Sequence, residues 1–155
     1  MLNEQTQAPE FEGINQHGET ISLAQFRGKK VILYFYPKDN TPGCTAEACS
    51  LNDKNAFFLS TGYVIIGVSA DSVESHKKFH EKYQLTFNLI SDHERNIINL
   101  YGVWGEKKLY GKTSFGLLRT TFVINEKGII EKVFKKVDTK THADQIIQAL
   151  KIDNA

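Results

Sequence analysis

The stretch Val31-Ile32-Leu33-Tyr34-Phe35-Tyr36-Pro37-Lys38-Asp39-Asn40-Thr41-Pro42-Gly43-Cys44-Thr45-Ala46-Glu47-Ala48-Cys49 passes from an unbroken apolar run, through a turn, into the start of a helix. A strand with one wet face alternates apolar and polar residues, so the run from Val31 to Tyr36 predicts a central strand buried on both faces. Pro37 ends it, because proline cannot continue a sheet ladder. Thr41 as N-cap and Pro42 at the first helical position then predict a helix to about Leu59, with Cys44 in its first turn. At about 100° per residue, Cys44, Ala48, Leu51 and Phe58 share one stripe, which should face the core. The unpaired N–H groups and the dipole of that first turn favour a thiolate over a thiol at Cys44.

Downstream of Gly62, Tyr63 to Val68 repeats the pattern of a buried strand. Asp71, with Glu74 three residues on, resembles a capping box for a helix whose inner face carries Val73, His76, Phe79, His80 and Tyr83. Leu85 to Ile90 predicts a short edge strand. Ser91 with Glu94 predicts another capped helix through Ile97, Ile98 and Tyr101, stopped at Gly102. Gly105 to Gly116, with Glu106, Lys107, Lys108 and Lys112 among glycines, reads as a loop. Thr120 to Ile124 and Ile129 to Lys136 predict an antiparallel hairpin across Asn125-Glu126-Lys127-Gly128. Thr141 with Asp144 caps a last helix with Ile146, Ile147 and Leu150 inward. Upstream of the run, a polar segment leads through Ile21-Ser22-Leu23. Strands alternating with helices, then a hairpin and a terminal helix, imply an α/β fold with a mixed central sheet and helices on both faces. With 155 residues, 41% of them hydrophobic, a single domain over residues 1–155 is expected.

Nineteen basic and eighteen acidic residues leave a net charge of +1, which argues against nucleic acid or an anionic membrane surface as partner. The apolar run is too short to span a bilayer, and the start Met1-Leu2-Asn3-Glu4-Gln5-Thr6-Gln7 has no leader pattern, so a cytoplasmic protein is expected. Thiols are kept reduced there. The chain's two cysteines are therefore expected to be catalytic, redox-sensing or metal-binding rather than a permanent staple.

On a regular helix, residues five apart lie about 140° apart around the axis and their Cα atoms about 8 to 9 Å apart. A disulfide needs Cα atoms within about 7 Å. Cys44 and Cys49 can therefore bond only if the helix between them unwinds, which makes the pair a candidate two-state redox switch. Arg119, at the start of an apolar strand, can point back to the helix N-terminus, stabilise a thiolate and donate to an oxygen-rich substrate. The Thr41 hydroxyl can accept from the Cys44 N–H as cap while donating its own proton to the substrate. Preorganised donors around a nucleophilic sulfur suit O–O cleavage, which leaves a sulfenic acid that a second thiol condenses with.

Pro37, Thr41 and Cys44 stand at the spacing Pro-x-x-x-Thr-x-x-Cys of the peroxiredoxins. Cys49 stands where the Q-type subgroup, the bacterioferritin comigratory proteins, carries a resolving cysteine. Ala8-Pro9-Glu10-Phe11, Tyr101-Gly102-Val103-Trp104-Gly105-Glu106-Lys107-Lys108 and Arg119-Thr120-Thr121-Phe122 also resemble that subgroup, so the likeness runs nearly the length of the chain. It implies a thioredoxin-like fold and reduction of hydrogen peroxide or organic hydroperoxides to water or alcohols. By the same resemblance Cys44 is peroxidatic, Cys49 resolving, Thr41 and Arg119 hold peroxide and thiolate, and Pro37 shields the pocket. Thioredoxin is the implied reductant, with no prosthetic group or other cofactor and no metal. Both thiols in one helix point to a monomer. The chain also lacks the Gly-Gly-Leu-Gly and terminal Tyr-Phe motifs of easily over-oxidised relatives, so resistance to over-oxidation is expected.

Each feature also has a plainer reading. Thr41 and Pro42 start a helix whatever else they do, Pro37 ends a strand, and Arg119 could be a surface ion-pair partner. His76 and His80, four apart, are metal-ligand spaced but lack a further ligand cluster, so packing is expected. A thiol-disulfide oxidoreductase would carry Cys-x-x-Cys, which is missing. A peroxide-sensing switch or interaction module without efficient turnover remains the alternative function.

Overall fold

The apolar run becomes an interior strand of a seven-stranded mixed sheet in the computed structural model, which describes residues 1–152. In chain order the strands are β1 (Glu12–Ile14), β2 (Thr20–Ser22), β3 (Lys30–Phe35), β4 (Tyr63–Ser69), β5 (Asn88–Ser91), β6 (Trp104–Leu109), β7 (Lys112–Leu117), β8 (Thr120–Ile124) and β9 (Ile130–Phe134). The helices are α1 (Pro42–Asp53), α2 (Asn55–Ser60), α3 (Val73–Lys82), α4 (Asn96–Leu100) and α5 (His142–Leu150). The large sheet runs β2-β1-β5-β4-β3-β8-β9. β3 lies parallel to β4, with Leu33 opposite Ile66, and antiparallel to β8, with Tyr34 opposite Thr121.

The period-two geometry of β3 explains why its sequence is apolar throughout. Val31, Leu33 and Phe35 enter a core closed by Ile97 and Ile98 of α4 and by the N-terminal residues Ala8, Phe11 and Leu23. Ile32, Tyr34 and Tyr36 enter the opposite core, closed by Ala48 and Leu51 of α1, Phe58 of α2, Phe79 of α3 and Ile146 of α5. Each fully buried large side chain contributes about 1.5 to 3 kcal/mol, so a charge at any of these positions would cost more than the fold can spare. Helices thus cover both faces, as expected. No helix among the described residues is long and apolar enough to cross a membrane.

Five local features differ from the reading of the sequence. The helix expected to run to Leu59 breaks at Lys54 (φ −105°, ψ 6°). Asn52 and Asn55 turn their amides onto Thr86 instead, with bonds of 2.7 Å from Thr86 Oγ1 to Asn52 Oδ1 and 2.7 Å from Asn55 Nδ2 to Thr86 Oγ1. β5 is not an edge, because β1 pairs on its outer side through Ile14 and Ser91. The β1–β2 hairpin was missed because its strands are three residues each and mostly polar. The expected loop from Gly105 to Gly116 is the β6–β7 hairpin, turned by Tyr110 (φ 53°) and Gly111 (φ 75°), the two positive φ values of a type I′ turn. Most of β7 is exposed, so no apolar alternation betrayed it.

Capping is the fifth. Ser72, not Asp71, caps α3, accepting from Ser75 N at 3.1 Å. The helix expected from Ser91 starts only after Arg95, which is left-handed at φ 61°, and Asp92 accepts from Ile98 N. Thr141 begins α5 without a side-chain bond.

Candidate active site

Helix α1 starts where Thr41 and Pro42 require, so Cys44 falls in its first turn, on its buried stripe at 1% exposure. Thr41 has N-cap backbone angles but its hydroxyl makes no cap bond; it donates to Lys38 O at 2.8 Å. The expected double role is thereby corrected, because a hydroxyl has one proton and here a carbonyl takes it. Beyond that bond the Thr41 oxygen keeps lone pairs with which it can accept.

Arg119 stands in the short connection from β7 to β8, where Leu118 N bonds Val103 O. From there its Nη2 lies 3.5 Å from Cys44 Sγ, and its Nη1 donates to Glu47 Oε1 at 2.6 Å. Gly43 leaves room for the guanidinium, since a Cβ built there would lie 3.1 Å from Arg119 Nη2. Burial opposes the charge on Arg119, but Glu47 and Cys44 outweigh it and hold its pKa above the ordinary value.

Glu47 was not picked out from the sequence, although the signal was there: a carboxylate three residues after Cys44 falls within the helix's apolar stripe. Burial pushes it up to about 7, with Arg119 pulling the other way. Its Oε2 has no hydrogen-bond partner among the described residues and lies 3.8 Å from His142 Nε2. That approach is not an ion pair at neutral pH. His142 is pushed down to about 4, by burial first, while Thr121 Oγ1 lies 2.8 Å from its Nε2 and Gln145 Oε1 2.9 Å from its Nδ1. A neutral ring donating from Nδ1 and accepting at Nε2 satisfies both contacts.

Cys49 lies five residues beyond Cys44 on α1, half-buried, and both thiols are free with the helix intact between them. Burial, with help from Asp53, pushes the Cys49 thiol up, the opposite of what a nucleophile needs. Pro37 sits exposed on the rim of a groove of about 550 Å³ that Lys107, Leu118, Arg119, Thr120 and Val137 also line. Lys107, from the unforeseen hairpin, is held below its ordinary pKa by burial and by Arg119. The structure thus brings Cys44 and Arg119 into contact, puts Thr41 and Pro37 at the helix start and groove rim, and leaves Cys49 apart. His76 and His80 are taken up elsewhere, by Asp39 and by the Phe87 carbonyl.

Residues 5–133 match the AhpC/TSA family. Peroxiredoxin Bcp of Bacillus subtilis (strain 168) is 46% identical over 144 residues, 93% of this chain and 92% of the relative. Peroxiredoxin Bcp of Escherichia coli (strain K12) is 42% identical over 144 residues, with the same two shares of 93% and 92%. A cysteine-to-serine variant of peroxiredoxin Q from Xanthomonas campestris superposes with a TM-score of 0.85 at 37% identity, covering 91% of this chain and 90% of that one. The bacterioferritin comigratory protein of the same organism, solved as a trapped intermediate and ligand complex in a study of alkyl peroxide reduction, superposes at 0.84 with 36% identity and the same coverage of 91% and 90%.

Proposed function

The chain belongs to the AhpC/TSA family as a peroxiredoxin of the Bcp, or Q, type, a thiol peroxidase, and from that premise we propose that Cys44 is its peroxidatic residue and Cys49 its resolving one. The Arg119 contact to the Cys44 sulfur at 3.5 Å, at the first turn of α1, carries this reading.

The thiolate of Cys44 attacks the terminal oxygen of a hydroperoxide. The S–O bond forms as the O–O bond breaks, and the leaving oxygen takes a proton to depart as water or alcohol. Arg119 faces the charge that develops on those oxygens, in a site where water is scarce. Thr41, its proton committed to Lys38, accepts the peroxide O–H and so sets the line of approach. Pro37 borders the groove through which the peroxide arrives. Glu47 holds Arg119 in place from behind.

Cys44 then carries a sulfenic acid. The Cys49 thiol condenses with it, releasing water and forming the Cys44–Cys49 disulfide, which two electrons from a dithiol reductant reopen. Thioredoxin is that reductant, acting on a cytoplasmic monomer of one domain, since both thiols lie in one helix and no second chain is needed to close the cycle. Peroxide-dependent NADPH oxidation through thioredoxin reductase and thioredoxin tests the whole reading. Cys44→Ser is expected to abolish it, and Cys49→Ser to allow one sulfenylation but not efficient recycling. Turnover retained by Cys44→Ser would overturn the assignment.

A further inference from the structure

The loop Pro37–Thr41, which enters α1 and carries two of the proposed site residues, is tied down by side chains that the peroxidase reading does not use. Asp39 is its anchor, 7% exposed. Asp39 Oδ1 accepts from Tyr36 Oη at 2.6 Å, Oδ2 accepts from Ser75 Oγ at 2.8 Å, and His76 Nδ1 lies 2.6 Å from Oδ2. The Asp39 N–H donates to Asp71 Oδ2 at 2.9 Å, and Asp71 is itself held by Ser69 Oγ at 2.6 Å. His76 is fully buried, with Nε2 2.9 Å from the Ile90 carbonyl, an oxygen that can only accept. Nε2 therefore carries hydrogen, and the Nδ1–Asp39 contact holds another proton. Next along, Asn40 is left-handed at φ 61° and accepts from Lys82 Nζ and Tyr83 Oη at 3.2 and 3.3 Å.

We propose that the buried Asp39–His76 pair is a positioning clamp that pins the Pro37–Thr41 loop to α3 and so sets both the reactive geometry around Cys44 and the readiness of α1 to unwind. Asp39 accepts three contacts, and the side chains of the pair are only 3% and 0% exposed. Moving the loop would strand a buried charge or a buried imidazole, a cost that keeps the loop in one place. The clamp sits at the N-terminal end of α1, where the unwinding that brings Cys49 to Cys44 must begin; this part rests on the disulfide reading above. A loosened clamp therefore slows attack on peroxide and speeds fraying of α1 while leaving β4 as protected as before, a local pattern that general destabilisation does not produce.

The test uses the full chain with Asp39→Asn, His76→Gln and the apolar double variant Asp39→Ala/His76→Leu. The last removes both members of the pair together, so neither is left as a buried charge without its partner. Competition with a haem peroxidase for hydrogen peroxide gives the rate at Cys44, and amide hydrogen exchange gives opening of residues 38–49 against β4. The expected result is a peroxide rate lower by about tenfold or more in all three, with faster exchange confined to residues 38–49. Unchanged rate and exchange, exchange raised evenly through β4, or a wild-type rate in the double variant would overturn the clamp. Cys44→Ser run alongside separates the two readings: peroxide consumption there removes the Cys44 assignment, while the exchange pattern still decides the clamp.

Discussion

Glu47 holds Arg119 by a 2.6 Å hydrogen bond, and the carboxylate that does so is fully buried. The other terminal nitrogen of the same guanidinium reaches the Cys44 sulfur. One cation serves two partners three residues apart on one helix face, which only the planar fork of arginine can do.

Arg119→Lys is accordingly expected to be a poor replacement. Its single ammonium can satisfy Glu47 or Cys44 but not both, and the second-order rate with peroxide should fall about 10²-fold. Arg119→Ala should also lose about 3 kcal/mol of stability, because it leaves Glu47 buried without its partner. Stopped-flow kinetics and urea unfolding measure the two effects; a wild-type rate in Arg119→Lys would show that the fork is not needed.

The pair Glu47 and His142 should hide a pH dependence that single substitutions expose. Glu47, at about 7 when folded against an ordinary 4.5, contributes stability that is fully present below 4.5 and is lost as pH rises through 7. His142, at about 4 when folded against an ordinary 6.5, contributes stability that is present above 6.5 and is lost as pH falls through 4. Between 4.5 and 6.5 the two slopes oppose each other. His142→Gln should therefore lose stability with rising pH, and Glu47→Gln should gain it, each by at most about 1.4 kcal/mol per pH unit. Melting curves from pH 4.5 to 7 measure this. Parallel slopes in the two variants would contradict the opposed pair.

Two glycines should respond differently to alanine. At Gly43 the added Cβ meets Arg119 Nη2 at 3.1 Å, a flexible side-chain end, so Gly43→Ala should slow peroxide reduction with little change in melting temperature. At Gly67 it meets Tyr34 Cζ at 2.8 Å and Leu89 Cδ2 at 2.9 Å inside the core, so Gly67→Ala should cost about 1–3 kcal/mol. Kinetics and thermal unfolding of both variants decide; equal loss of stability in the two would argue against this distinction.

Stoichiometric peroxide should convert the intact α1 into a locally unwound form. Far-UV circular dichroism should show lost helix, and mass spectrometry after alkylation should show Cys44 linked to Cys49. Cys49→Ser should instead proceed from sulfenic to sulfinic acid as peroxide is raised. Sulfinic acid in the wild-type protein at low peroxide would contradict the expected resistance.

Where the sequence was legible, local physics was enough. The run from Val31 to Tyr36 reads as a doubly buried strand and Thr41-Pro42 as a helix start, so the place of Cys44 in a first turn was readable from its neighbours. The hairpin from Trp104 to Leu117 was not, because it packs too little apolar surface to leave a period in the sequence. The break at Lys54 was not either, since the Asn52 and Asn55 side chains on either side of it bond Thr86, a partner more than thirty residues away.

The chain alone determined the sheet's centre, the place of Cys44 in a first turn and the spacing that keeps Cys49 from it, because dihedral preference and apolar periodicity act between neighbours. Only the tertiary structure decided that Glu47 is buried behind Arg119, that His142 faces it uncharged and that Asp39 is locked to His76. Burial and charge pairing depend on what the fold brings within a few ångströms, and that is not written in the order of residues.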